Sequence, residues 1–255
     1  MSIIHPEAII GENVHISQFV TIEKNVIIGN NVNIYPNVVI MSGARIGNNC
    51  QIFPGAVIAA VPQDLKFRGE DTTAEIGDNT TIRECVTINR GTAAKGKTVV
   101  GSNCLLMAYS HVAHDCLLKD FVILGNATQL AGEVEVDDYA ILSGGTLVHQ
   151  FSKIGMHAMT QGGSRVSKDI PPYIIVGRDP IMYSGVNVVG LRRRGFENEK
   201  ILSIQEIYRV LYQSGMNNKE AVKYIEENIP ASKEKEIIIT FIANSQRGIV
   251  RGYME

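Results

Sequence analysis

The chain has 255 residues, 45% of them hydrophobic, and a formal net charge of −2. That length suits one large domain or a large domain with a small appendage, and the near-neutral balance gives no general electrostatic pull toward nucleic acid or an anionic membrane. The opening MSIIHPEAII lacks a basic n-region with a long apolar core, and no apolar run approaches the ~18–20 residues that span a bilayer, so a cytoplasmic protein with no membrane span is expected.

From Ile4 onward an aliphatic residue recurs every six positions: Ile4, Ile10, Ile16, Ile22, Ile28, Ile34, Ile40, Ile46, Ile52 and Ile58. The same phase resumes at Ile76 and runs to Val166, so that 24 of 28 in-phase positions are Ile, Val or Leu. Those types make up about a quarter of the chain, which removes chance as an explanation. Four residues after each aliphatic stands a small or compact side chain, among them Cys50, Cys104 and Cys116. These cysteines read as core fillers, because the four in the chain form no CxxC or paired zinc spacing. A period of six fits neither a helix nor a long alternating strand. It fits a short strand and a corner, three times per coil of 18 residues, with corners expected at Gly29-Asn30-Asn31 and Gly47-Asn48-Asn49 where positive φ is cheap.

Two stretches break the pattern without breaking its phase. Ala59 to Ala74 puts Asp64 and Glu70 where aliphatics are due, and Asn89 to Thr98 is rich in glycine and lysine; both are expected to be loops extruded from an intact column, near 59–75 and 89–98. Next comes Ser110-His111-Val112-Ala113-His114-Asp115. The histidines flank an inward-pointing valine, and His114 followed by Asp115 offers an imidazole with a carboxylate at hand, the makings of a general base. On spacing alone the pair fits equally well a solvated face with two surface histidines. No third histidine follows at a ligand-like spacing, which argues against a metal site.

The repeat fades after Val166, and Pro171-Pro172 are expected to end it. Arg193 and Arg194 have the guanidinium forks that suit phosphate oxygens, although a solvated basic turn explains them as simply. Beyond about 191 the spacing becomes helical: 197–215 ends in glycine, 217–229 opens on Asn217-Asn218 as candidate N-caps, and 232–248 starts at Ser232. The expected division is 1–190, a β-column, and 191–255, a small helical domain capping it.

The six-residue pattern resembles the left-handed parallel β-helix of hexapeptide-repeat acyltransferases. The expected fold class is therefore mainly β, a left-handed parallel β-helix followed by a small α-helical C-terminal domain. The ordered runs Gln63-Asp64-Leu65-Lys66, Arg83 to Thr92, His111 to Asp115, Val148 to Phe151, Pro171-Pro172-Tyr173, Gly185 to Phe196 and Arg247 to Arg251 are similar, over nearly the whole chain, to the UDP-N-acetylglucosamine O-acyltransferases of lipid A biosynthesis. The resemblance implies transfer of a 3-hydroxyacyl group from acyl carrier protein to the glucosamine 3-hydroxyl of UDP-N-acetylglucosamine. It implies a homotrimer with active sites in grooves between subunits, and no cofactor beyond the phosphopantetheine arm that carries the acyl chain. By motif, His114 is the general base, Asp115 its holder and the Gly132 N–H the oxyanion donor. Gln63, Asp64, Lys66 and His111 are implied to contact the sugar and pyrophosphate. His149, Gln150, Asn187, Arg193 and Arg194 are implied to contact the UDP portion, and Gly162 with Gly163 and the 176–183 loop the acyl chain. Asn89 and Glu133 stand where the family commonly has histidine, and Val189 where it often has an acidic residue, which bears on peripheral contacts. Arg68, Lys95 and Lys97 are basic groups available to an acidic carrier protein. The competing readings are a hexapeptide N-acyltransferase acting on a UDP-amino sugar, a CoA-dependent acetyltransferase, a γ-class carbonic anhydrase that would bind zinc, and a non-catalytic trimeric scaffold.

Overall fold

The computed structural model describes residues 1–252. Its strands are mostly two residues long and build a left-handed parallel β-helix with three flat faces of nine, eight and ten strands. Ile4 pairs with Ile22 and Ile10 with Ile28, eighteen residues on, so one coil is three hexads. Stacking, rather than hydropathy alone, does the burying. Ile4, with no coil beneath it, stays 43% exposed, while Ile22 is 1% exposed and Ile34, Ile40, Ile52 and Ile58 are sealed. Each such isoleucine contributes about 2–3 kcal/mol by leaving water, in a core where every coil touches only its neighbours. Cys50, Cys104 and Cys116 lie in that core, whereas Cys85 is exposed at a corner.

Both interruptions are loops on an unbroken column. Ile46 pairs with Ile76 and Ile58 with Ile88, thirty residues on, and Ile88 pairs with Val112, twenty-four on. The excess is a whole number of hexads each time, which is why the phase survives. The loops leave between Val57–Ala60 and Thr73–Ile76 and between Thr87–Asn89 and Lys97–Val100.

The corners differ from expectation in which residue bends the chain. Gly29 and Gly47 are not left-handed; the positive φ falls two places on, at Asn31 (57°) and Asn49 (57°). The glycines serve close approach instead, since a Cβ on Gly29 would lie 2.8 Å from the backbone of Gly47 on the next coil. The left-handed asparagines stack into a ladder, Asn13 Nδ2 donating to Asn31, Asn31 to Asn49 and Asn49 to Asn79. Higher up, the same corner becomes aromatic: Phe121, Tyr139, His157 and Tyr173 stack at 4.6–5.6 Å, again at positive φ.

The hexad phase ends near Pro171-Pro172, Thr160 pairing with Val176 sixteen residues on instead of eighteen, while the column itself runs further. Ile174–Gly177 continues the third face in parallel with Met159–Thr160, because the prolines occupy a corner where no ladder N–H is required. Antiparallel Met182–Val186 then closes that face. Four helices follow: α1 (Val188–Arg193), α2 (Asn198–Gln213), α3 (Asn218–Asn228) and α4 (Lys233–Ala243). Asn217 and Glu220 form a capping box on α3, and Ser232 caps α4. Tyr208 of α2 donates to the Pro172 carbonyl at 2.6 Å, and Phe196 packs edge-on against His157, which ties the helices to the last coil.

Candidate active site

Asp115 occupies a corner at φ 60°, in the region that aspartate tolerates better than most residues. Its side chain is covered by the loop that carries Thr92 and has no solvent exposure. Burial raises a carboxyl's pKa, but hydrogen bonds from the Thr92 hydroxyl and backbone N–H, and from His114, outweigh it and hold Asp115 below the usual carboxylate range. An ionised Asp115 can only accept, so its contact of 2.8 Å with His114 Nδ1 makes that nitrogen the donor. The Nε2 lone pair is then left free. The His114 side chain is 12% exposed, enough to reach a bound molecule.

Gly132 lies one coil on, and Glu133 N–H donates to the His114 carbonyl. A Cβ on Gly132 would stand 2.6 Å from both Cε1 and Nε2 of His114. Only glycine leaves room for the ring, and the atom that can take a proton lies directly against the Gly132 backbone. Among the described residues no acceptor engages the Gly132 N–H.

His111 sits on the first face, in register with Thr87 and Gln129. Its Nδ1 is 2.7 Å from the Thr87 hydroxyl. Burial lowers its pKa, the Thr87 contact partly opposes this, and nearby His114 lowers it further. A cavity of about 550 Å³ opens beside it, walled by Leu130, Leu147, Val148, His149, Arg165 and Ile181 among others. His149 is exposed and its Nδ1 faces the Gln150 carbonyl at 3.0 Å, while Gln150 is half-buried. Gly162 lies open at the adjoining corner, its nearest neighbour the Gly144 carbonyl.

The remaining sequence-derived residues lie elsewhere. Asp64 accepts from the Lys66 N–H and closes its own turn, leaving Gln63 and Lys66 exposed on the first loop. The base of that loop is held by Asn89 Nδ2 on the Val61 carbonyl and by Arg90 over the Phe67 ring at 5.4 Å. Asn89 is therefore buried support, with its Oδ1 unpartnered. Asn187 is 5% exposed, accepts from Gly190 N–H as the cap of α1 and donates to the His157 carbonyl. Both ends of its amide have partners within the fold, and these set where α1 begins, beside the Arg193-Arg194 pair. Arg193 is exposed, and Arg194 lies 4.3 Å over the Tyr139 ring. The Tyr139 corner is a different edge of the column from that of Asp115, so one chain alone does not bring the arginines to His114. Lys95 and Lys97 pair with Glu135 and Glu75. Thr92 and Thr98, which hold Asp115, were not singled out by sequence reasoning; the Arg90-Gly91-Thr92 run was the available signal.

A family model described as UDP-N-acetylglucosamine O-acyltransferase, domain 2, matches residues 169–250, and one for bacterial transferase hexapeptide repeats matches residues 25–60. The chain is 45% identical, over 76% of each sequence, to an acyl-[acyl-carrier-protein]–UDP-N-acetylglucosamine O-acyltransferase of Herminiimonas arsenicoxydans. The solved UDP-N-acetylglucosamine acyltransferase from Bacteroides fragilis superposes with a TM-score of 0.97 at 60% identity, covering 98% of both chains. That from Francisella novicida superposes with a TM-score of 0.95 at 41% identity, covering 98% of this chain and 92% of the other.

Proposed function

The chain belongs to the UDP-N-acetylglucosamine O-acyltransferase family, and on that footing we propose that it moves a 3-hydroxyacyl group from acyl carrier protein to the 3-hydroxyl of UDP-N-acetylglucosamine, with His114 as general base. The observation that carries this reading is the His114 Nε2 edge lying against Gly132 while Asp115 holds Nδ1 from behind.

His114 Nε2 takes the proton of the sugar hydroxyl as that oxygen attacks the thioester carbonyl. The new C–O bond gives a tetrahedral oxyanion, which accepts from the Gly132 N–H; such a donor contributes about 3–4 kcal/mol to the transition state. The C–S bond then breaks, and the imidazolium, stabilised by Asp115, returns its proton to the departing phosphopantetheine thiolate. The acyl group passes directly to the sugar, with no covalent enzyme intermediate and no cofactor beyond the carrier's arm.

Burial holds the His111 pKa below the ordinary histidine value, and its ring can hydrogen-bond the sugar. Gln63, Asp64 and Lys66 reach the sugar and pyrophosphate, and His149, Gln150, Arg193 and Arg194 the UDP. The acyl chain runs past Gly162 along the apolar wall of Leu147, Val148 and Ile181. The working form is a homotrimer, supported by the separation of the Arg194 corner from the His114 corner within one chain: an adjacent copy has to supply one to the other. The enzyme works in the cytoplasm as the opening step of lipid A assembly; among the described residues no helix is long and apolar enough to cross a membrane.

The test is an assay of the purified protein with UDP-N-acetylglucosamine and 3-hydroxyacyl carrier proteins of graded length, beside His114→Ala. Ester product that is lost in the variant, with the fold retained, supports both activity and base. Product that persists in the variant removes His114 from the role, and transfer only to a UDP-amino sugar moves the enzyme to the N-acyl class.

A further inference from the structure

The loop between Thr87–Asn89 and Lys97–Val100 adds six residues to its coil, and it folds back over Asp115 rather than out toward solvent. Thr92 is 7% exposed. Its backbone N–H donates to Asp115 Oδ1 at 2.9 Å, with the Lys95 N–H on the same oxygen at 3.3 Å. Its hydroxyl meets Oδ2 at 2.6 Å, the oxygen that also takes His114 Nδ1. That hydroxyl accepts from the Ala94 N–H, so its own proton is the one available to the carboxylate. The Thr92 carbonyl accepts from Gly96 N–H at 2.8 Å, which closes the loop on itself. On the far side the Asp115 backbone N–H donates to the buried Thr98 hydroxyl.

We propose that Thr92 is a positioning residue for His114, acting through Asp115. The inference rests on the reading of His114 as the base. A lone carboxylate beside an imidazole can rotate about its Cβ–Cγ bond and present either oxygen at a range of angles. Here Oδ1 is held by two backbone donors from the loop, and Oδ2 is shared between Thr92 and His114. Rotation is blocked, the carboxylate stays ionised, and the imidazole is kept with its proton on Nδ1 and its lone pair on Nε2. The extra hexad is thus an orienting collar, and Thr92 is its only side-chain donor to the carboxylate.

The experiment uses the full chain with UDP-N-acetylglucosamine and a 3-hydroxyacyl carrier protein, and compares Thr92→Val, Thr92→Ser, Glu135→Gln and His114→Ala. Thr92→Val keeps the shape and removes the hydroxyl. It is expected to lower kcat tenfold or more, the kinetic equivalent of one hydrogen bond to a charged group, with the sugar KM within twofold of wild type. Thr92→Ser restores kcat to within threefold. Glu135→Gln loosens the tether from Lys95 to the column and leaves kcat within threefold, which separates orientation from a slack loop. Thr92→Ala is the second variant should Thr92→Val not fold, and reads the same way. A Thr92→Val enzyme with wild-type kcat beside an inactive His114→Ala overturns the proposal and leaves the base intact. Serine failing to rescue, or a loss appearing only in KM, overturns it equally. Full activity in His114→Ala overturns the base assignment itself.

Discussion

Replacing Gly132 with alanine tests the catalytic geometry through a single methyl group. The backbone at Gly132 lies outside the left-handed region, so alanine meets no conformational penalty there. What it meets is the His114 ring, with Cβ 2.6 Å from Cε1 and Nε2 where comfortable carbon contacts begin near ~3.5 Å. The ring has to retreat by about 1 Å. Behind it is Asp115, fully buried and held by Thr92 and Lys95, so the ring tilts rather than slides and the His114 Nδ1 contact at 2.8 Å is strained. A displacement of about 1 Å at a proton-transferring atom costs roughly a hundredfold in rate, or about 2.7 kcal/mol. The assay is initial-rate formation of the acylated sugar nucleotide by mass spectrometry, with circular dichroism to confirm an intact column. Gly132→Ala is expected to lose at least about a hundredfold in kcat with little change in sugar KM. A variant within threefold of wild type would show that neither the ring's place nor the adjacent N–H matters, and the catalytic assignment would fall.

Three further outcomes follow from other parts of the molecule. Burial among Tyr139, Tyr173 and Phe196, with the Arg194 charge adding to it, lowers His157 from the ordinary 6.5 to about 4. The unfolded chain therefore binds a proton that the folded chain refuses, and stability is lost as pH falls from 6.5 toward 4, by about 3 kcal/mol in total; urea titrations at both pH values should show this component vanish in His157→Phe. Asn49→Ala forces alanine into φ 57° and removes two ladder hydrogen bonds, for an expected loss of about 2 kcal/mol in denaturant, with Asn49→Gly losing about half as much. Co-refolding inactive His114→Ala with an inactive Arg193→Ala/Arg194→Ala chain in equal amounts should recover about a quarter of wild-type activity, the fraction of random trimer interfaces with both sides intact; no recovery would place the two sets of residues in one chain's site.

The six-residue period was legible because it is a local constraint: each hexad must bury one aliphatic and one small side chain whichever coil it stacks upon. The same constraint explains why both loops could be located and why three cysteines were read as filling. Helix caps at Asn217 and Ser232 were equally local. Pro171-Pro172 marked the end of the hexad phase and left the column free to continue, because proline's effect depends on whether its position needs a ladder donor, and at a corner it does not. The function was legible through the ordered motifs rather than through the repeat, which many transferases share. Only the tertiary structure decided how those motifs lie against one another. His114 and Asp115 are neighbours in sequence, but the Thr92 collar that orients them comes from another coil, and the clearance over Gly132 exists only when one coil lies on the next. Asn187 also caps α1, its amide partnered by the His157 carbonyl and the Gly190 N–H, a role that the motif by itself did not reveal. The period is set by what each residue must do for its own turn of chain. The site is set by which turns lie against each other, and that depends on stacking and loop closure over distances the local pattern does not encode.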